Sequence, residues 1–138
     1  MTLWAAVLPV LKRAVPAQRL VVLMSRSNRV SRSTERERRI IDLSARLCVV
    51  RPGMRPNCLE RSLLAYRFLG AAGASPRLVM GVRTVDEGII GHAWVTIDGE
   101  PVHDRPESIA QFVPIVEFLP SGEVVSPRKE LRLPRKWR

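Results

Sequence analysis

Residues that build metal sites and disulfide frameworks are scarce in this chain. It has two cysteines, Cys48 and Cys58, and two histidines among 138 residues, with no CxxC pair. The usual zinc-ligand spacing is therefore missing, and we predict no metal site and no other cofactor. One disulfide is arithmetically possible, but no secretory signal precedes it, because Pro9, Lys12 and Arg13 interrupt the first apolar run. We expect reduced thiols and a cytoplasmic protein.

Long apolar runs and aromatic side chains are scarce as well. No stretch approaches the roughly 18 consecutive apolar residues of a membrane span, so none is predicted. Aromatic residues are 5% of the chain, and no stacking platform or recognition helix for nucleic acid is visible. Hydrophobic residues make up 46% and charged residues 26%, a balance typical of soluble globular proteins. The length predicts a single domain over residues 1–138.

The net charge of +10 is concentrated at the two ends of the chain. Residues 1–48 carry ten basic and three acidic side chains, residues 128–138 carry six and one, and the middle carries seven and nine. We therefore expect a helical N-terminal region (1–48), a catalytic core (49–118) and a flexible basic tail (128–138). The tail can steer an acidic partner, although a solvated end is the simpler explanation.

Helix signals dominate the first half of the chain. Thr34 and Glu37 match a capping box, in which each side chain satisfies the other residue's free backbone N–H. Asn57 is a second N-cap, and the helix that it starts should end near Gly73, which favours the left-handed conformation. The predicted helices span 2–13, 17–24, 35–48 and 58 to about 72, separated by a loop at 25–33 and a connection at 49–56.

Strand signals follow the helices. Short runs rich in β-branched residues predict strands at 78–82 and 93–97, the second closed by the turn pair Asp98-Gly99. A partner strand should cover 100–104, and 112–118 should form an edge strand because Pro114 cannot donate to a central ladder. Helices followed by strands predict an α+β fold.

Three residues together point to thiol chemistry. Cys58 would lie in the first turn of a helix, where free N–H groups and the positive end of the dipole favour a thiolate. His92 opens a strand and Asp104 ends the next one, in the order nucleophile, base and orienting acid. Each residue alone has a structural explanation, as does Cys48, which should pack in an apolar helix stripe. His103 is a competing base.

Whether His92 meets Asp104 depends on the hairpin register. A two-residue turn at Asp98-Gly99 would pair His92 with Arg105 and turn Asp104 to the other face. A three-residue loop over 97–99, with Gly99 as a bulge, would place His92 directly opposite Asp104. We favour the three-residue loop, in which Trp94 and Val102 share the face of His92 and His103 points away.

The segments Cys58-Leu-Glu-Arg-Ser, Leu78-Val-Met-Gly-Val-Arg83 and Gly91-His-Ala-Trp-Val, with the interval to Asp104, resemble the leader peptidases of lasso peptide biosynthesis. These are transglutaminase-like, papain-type cysteine proteases. The resemblance covers about residues 45–118. It implies a catalytic triad of Cys58, His92 and Asp104, with the cysteine helix packed on a small antiparallel sheet.

The resemblance also implies a substrate and partners. The substrate is a ribosomally made precursor peptide cut between leader and core; a separate small leader-recognition protein delivers it, and a macrolactam cyclase acts next. The Cys58 backbone N–H is the expected oxyanion donor. Trp94 and the N-terminal apolar face are candidate substrate-binding residues, although simple packing also explains that face, formed by Leu3, Trp4, Val7, Leu8 and Leu11. An acyltransferase with the same triad and a non-catalytic binding module for peptide or nucleic acid remain open.

Overall fold

The computed structural model describes residues 1–49 and 57–125 of the chain. The helices are α1 (Thr2–Ala14), α2 (Ala17–Met24), α3 (Thr34–Val49), α4 (Cys58–Ala71) and α5 (Pro106–Ile109). The strands are β1 (Arg77–Val85), β2 (Gly88–Ile97), β3 (Glu100–Pro101), β4 (Val113–Phe118) and β5 (Val124–Val125). The predicted α+β class is confirmed, since four helices precede the sheet. Most of the predicted connection and the whole basic tail lie outside the described residues.

The helix ends follow local signals, with one correction. Asn57 Oδ1 accepts a hydrogen bond from Leu59 N–H at 2.9 Å and caps α4, as predicted. Gly73 adopts a φ of +86° just beyond α4, also as predicted. The capping box at Thr34 is wrong: Thr34 is already helical, and Ser33 Oγ accepts the Arg36 N–H at 3.4 Å. Two neighbouring hydroxyl residues compete for this cap, and the earlier one takes it.

Helix α4 is the centre of the core. It packs on β2 and β1, and α1, α2 and α3 cover its other sides. Its middle is therefore buried nearly all round, as expected for a helix enclosed by two layers. The fully buried members of this cluster come from α1, α2, α4 and the sheet: Leu8, Leu20, Val21, Met24, Leu63, Leu64, Ala65, Tyr66, Leu69, Leu78, Val95 and Phe118.

The sheet is antiparallel, with the strand order β3-β2-β1-β4-β5. Its centre is a long β1–β2 hairpin that runs well past the two predicted strands. The predicted edge strand is corrected, because β5 covers β4 at Glu117 and Phe118. The register between β1 and β4 shifts between Met80 and Gly81, and Pro114 pairs beside this irregularity, clear of the part that β5 covers.

The β2–β3 turn corrects the predicted register. Ile97 pairs with Glu100 across a two-residue turn, in which Asp98 and Gly99 have φ values of 54° and 89°. The predicted three-residue loop is therefore wrong, because both turn residues tolerate positive φ and satisfy the tighter turn. Strand β3 also ends at Pro101 and not at Asp104.

The same register decides which face Val102 occupies. Val102 N–H donates to Val95 O at 3.0 Å, and both side chains contact the core. Since adjacent residues of a strand face opposite sides, Val102 does not share the face of Trp94, contrary to the prediction.

Among residues 1–49 and 57–125, no helix is both long enough and apolar enough to cross a membrane.

The loop after α2 crosses the C-terminal end of α4 in close contact. Asn28 N–H donates to Gly70 O at 3.2 Å. A Cβ added at Gly70 would lie 1.9 Å from the Arg26 carbonyl oxygen, so only glycine fits there. This crossing holds the two-helix N-terminal segment against the helix that carries Cys58.

Candidate active site

Cys58 is the first residue of α4, directly after the Asn57 cap. Its thiol is free and its side chain is partly exposed, whereas most neighbouring apolar residues of α4 are buried. The Asn57 side chain occupies the Leu59 N–H, so the cap leaves the Cys58 N–H for another acceptor. Cys58 thus lies at the positive end of a fourteen-residue helix, where the N–H groups of the first turn can bind a negatively charged group.

His92 and Asp104 form a hydrogen-bonded pair. His92 Nε2 lies 3.3 Å from Asp104 Oδ1, with the two side chains 21% and 15% exposed. The contact that we predicted is present, although the register from which we predicted it is wrong. The reason is that the chain leaves the β ladder after Val102, so the alternation of faces no longer constrains Asp104.

His103 shows why the chain turns at this point. Its Nε2 lies 2.8 Å from Ser44 Oγ and 3.2 Å from Ile41 O, so the ring docks on α3. Burial, and then the nearby Arg61 charge, lowers the pKa of His103, which favours a neutral ring. The competing base is therefore engaged with α3, and its anchoring turns the next residue, Asp104, toward α4.

Arg61 completes the surroundings of the carboxylate. Its Nη2 atom lies 3.0 Å from Asp104 Oδ1 and 2.9 Å from Asp104 Oδ2. Arg61 is three residues after Cys58, so the two side chains share one face of α4. Asp104 is thus held between a guanidinium on the cysteine helix and the His92 imidazole on the sheet.

Two aromatic rings brace the imidazole. The His92 ring stacks on Trp94 at 5.9 Å between centroids with an interplanar angle of 19°, and it lies 5.1 Å from Phe112. Trp94 is only 4% exposed. These contacts limit rotation of the ring, so that Nε2 stays at Asp104 and Nδ1 remains for another partner.

Two cavities meet at Cys58 and His92. The first, of about 410 Å³, has a mixed polar and apolar lining formed by Ala45, Cys48, Asn57, Cys58, Arg61, His92 and Asp104. The second, of about 260 Å³, is almost wholly apolar; its lining includes Leu59, Met80, Val82, Gly91 and Ile115 beside the thiol and imidazole. Among the described residues no hydrogen bond joins the thiol directly to the ring. Both groups nevertheless border the same two spaces.

A larger cavity of about 610 Å³ lies elsewhere, lined by Trp94, Thr96, Asp98 and Glu117 among others. It has neither a thiol nor an imidazole in its lining. We therefore take the two smaller cavities at Cys58 as the candidate site, because their lining contains a thiol and an imidazole.

Comparison with protein families matches residues 2–117 to the transglutaminase-like superfamily. The chain belongs to this superfamily. Its match includes α1, α2 and α3, so the N-terminal helices are part of the superfamily domain and extend the resemblance that begins near residue 45. Members of the transglutaminase-like superfamily are typically enzymes of the cysteine protease or acyltransferase type. Neither the curated proteins nor the solved structures gave a match.

The other candidate residues lie away from the two cavities. Leu8 is buried, and Trp4 and Leu11 pack against the core, whereas Leu3 and Val7 are exposed by 73% and 38%. Leu3, Trp4 and Val7 line neither cavity at Cys58. Their role in binding a substrate or partner stays a prediction.

Sequence reasoning gave no role to three residues of this site. Arg61 had a detectable signal, as did Ser62, whose Oγ donates to the backbone carbonyl of Ala93 beside His92. Positions three and four after Cys58 lie on its side of the helix. Phe112 had none, since nothing local places residue 112 against residue 92. Cys48, predicted to pack, belongs to the core and also lines the larger cavity at Cys58.

Proposed function

We propose that this protein is a cysteine protease that removes the leader from a ribosomally synthesised precursor peptide during lasso peptide maturation. The proposed triad is Cys58, His92 and Asp104. The observation that carries it is that His92, hydrogen-bonded to Asp104, lines the same two cavities as Cys58. Membership of the transglutaminase-like superfamily supports thiol chemistry in this arrangement.

In the proposed first step, the Cys58 thiolate attacks the scissile carbonyl carbon. Asp104 holds His92 through Nε2, so Nδ1 exchanges the proton with sulfur and the leaving amine. The Cys58 backbone N–H, at the start of α4, donates to the oxyanion. The C–N bond then breaks, His92 protonates the amine, and a thioester remains on Cys58.

In the second step, water attacks the thioester carbonyl. His92 takes a proton from that water, the C–S bond breaks, and the leader leaves as a carboxylic acid while Cys58 is regenerated. The apolar cavity beside the thiol suits an apolar side chain of an extended peptide near the cut.

The proposed partners follow from the same assignment. A separate small recognition protein holds the leader, and a macrolactam cyclase acts on the released core. Leu3, Val7 and Val10 expose an apolar strip on α1 that offers a docking surface for the recognition protein or the leader. The reaction takes place in the cytoplasm, where both thiols stay reduced.

Mass spectrometry tests the proposal. Precursor peptide and recognition protein are incubated with this chain, with and without a thiol alkylator, and with the variant Cys58→Ala. We expect two fragments whose masses sum to precursor plus water, and no cleavage after alkylation or in the variant. Thiol-independent cleavage, or partner binding with no cleavage under any condition, would contradict the proposal.

A transglutaminase-type acyltransferase is the second candidate, favoured by the superfamily itself. It would use the same acyl-enzyme with an amine in place of water. Adding a primary amine to the reaction separates the two, because transfer yields a leader whose mass includes the amine, whereas hydrolysis yields the free acid.

A further inference from the structure

Two polar residues directly follow the first turn of α4, and the proposed chemistry does not use them. Arg61 and Ser62 belong to the Cys58-Leu-Glu-Arg-Ser segment that carries the sequence resemblance. Both make long-range contacts to the elements that hold the other two members of the proposed triad.

Ser62 joins the cysteine helix to the histidine strand. Its side chain is fully buried, and its Oγ donates to the Ala93 carbonyl oxygen at 2.9 Å. Ala93 is the residue after His92. A buried hydroxyl bonded to a backbone carbonyl fixes the distance and rotation between α4 and β2 next to the imidazole.

Arg61 joins the same helix to the carboxylate. Through Asp104 Oδ1, hydrogen bonds of 3.0 Å and 3.3 Å connect the Arg61 guanidinium to the His92 ring. The Arg61 side chain is 25% exposed, so the pair is largely shielded from solvent. Asp104 lies in a segment outside regular structure, and on the α4 side it is Arg61 that holds this carboxylate.

We propose that Arg61 and Ser62 are positioning residues that lock the nucleophile helix to the orienting carboxylate and to the base strand. This inference rests on the proposed function, because it takes Cys58, His92 and Asp104 as the reacting groups. Arg61 also places a positive charge at the cavity that Cys58 and His92 line.

The charge makes Arg61 testable by pH. Among the described residues, the ionisable groups that share the cavity with the imidazole are Cys48 from α3, Cys58 and Arg61 from α4, and Asp104 from the segment after β3. Arg83 of β1 lies over the ring of Phe112, on which His92 packs. Removing a cation raises the pH at which every neighbouring group loses its proton. Both limbs of the pH profile of kcat/KM should therefore move to higher pH when Arg61 becomes neutral.

The experiment compares Arg61→Met with Arg61→Lys, which keeps the charge. For Arg61→Met we expect kcat/KM for precursor cleavage to fall about 100-fold, since the catalytic groups lose alignment. Both limbs should move up by about half to one pH unit, the effect of a nearby and partly screened charge. Arg61→Lys should keep the wild-type limbs. If the limbs of the kcat/KM profile stay at the wild-type pH in a folded Arg61→Met, or if they move equally in both variants, the electrostatic role of Arg61 is overturned.

Ser62→Ala tests the second contact without a charge change. We expect kcat to fall about tenfold with KM and the pH limbs unchanged, because alignment and not substrate binding is lost. A wild-type kcat would overturn the role of Ser62. Far-UV circular dichroism checks folding; if Arg61→Met does not fold, Arg61→Gln takes its place.

A second measurement separates this inference from the proposed function. The rate of Cys58 alkylation by iodoacetamide, followed by peptide mass mapping over pH, reports the thiolate without any peptide substrate. A midpoint raised in Arg61→Met and not in Arg61→Lys supports the positioning role even if no peptide is cleaved. If the wild type cleaves the precursor but the alkylation midpoint in Arg61→Met is unchanged, the proposed protease function is supported and the role of Arg61 is overturned.

Discussion

The Asp104 carboxylate should increase the rate of precursor cleavage measurably. The substitution Asp104→Asn tests this, because it removes the charge with little change of shape. The amide keeps one acceptor oxygen at the position 3.3 Å from His92 Nε2. It no longer balances the imidazolium that forms when Cys58 gives up its proton. It also leaves the Arg61 guanidinium beside the ring without its counter-charge.

The magnitude follows from the geometry of this pair. Hydrogen bonds to charged groups contribute about 1.5–3 kcal/mol, and about 1.4 kcal/mol is a factor of ten in rate. Since the Asp104 and His92 side chains are 15% and 21% exposed, solvent screens the pair only in part. We expect kcat/KM for precursor cleavage to fall about 10- to 150-fold.

The assay is initial-rate mass spectrometry of precursor cleavage, with the recognition protein present at saturating concentration. Asp98→Asn is the matched control, because the Asp98 side chain is 68% exposed and, within the described part of the chain, pairs with Arg32 at the surface. The control should retain wild-type activity. A wild-type kcat/KM for Asp104→Asn, with an unchanged melting temperature, would refute the reasoning that this carboxylate stabilises the imidazolium.

Three further outcomes are expected. Cys58→Ala should abolish cleavage while Cys48→Ala retains most of it, measured on the same precursor; the reverse order would reassign the nucleophile. Gly70→Ala should lower the free energy of unfolding in urea by about 1–3 kcal/mol, because its Cβ would collide with the Arg26 carbonyl; unchanged stability would show that the loop yields. The pKa of His103 is lowered by burial, so the folded state binds fewer protons than the unfolded state below about pH 6.5. Stability should therefore be lost as pH falls through that value. In His103→Gln, the urea concentration at the unfolding midpoint should change less between pH 7 and pH 5.5 than in the wild type. An equal change of the midpoint in both proteins would contradict this.

The chain by itself determined the elements whose signals are local. An asparagine cap places Cys58 at the start of a helix, a left-handed glycine ends that helix near residue 73, and Asp98-Gly99 closes a hairpin. Each of these features depends on hydrogen bonds within a few residues, so composition and spacing suffice to predict them. The α+β class follows from their order.

Tertiary structure alone decided how the proposed triad comes together. The turn is one residue shorter than predicted, and Asp104 reaches His92 because His103 docks on Ser44 and Arg61 holds the carboxylate, across separations of 59 and 43 residues. Phe112, twenty residues from His92, braces the ring in the same way. Such contacts depend on how helices and strands pack against one another. No periodicity within a single strand or helix encodes a contact between residues so far apart in the sequence.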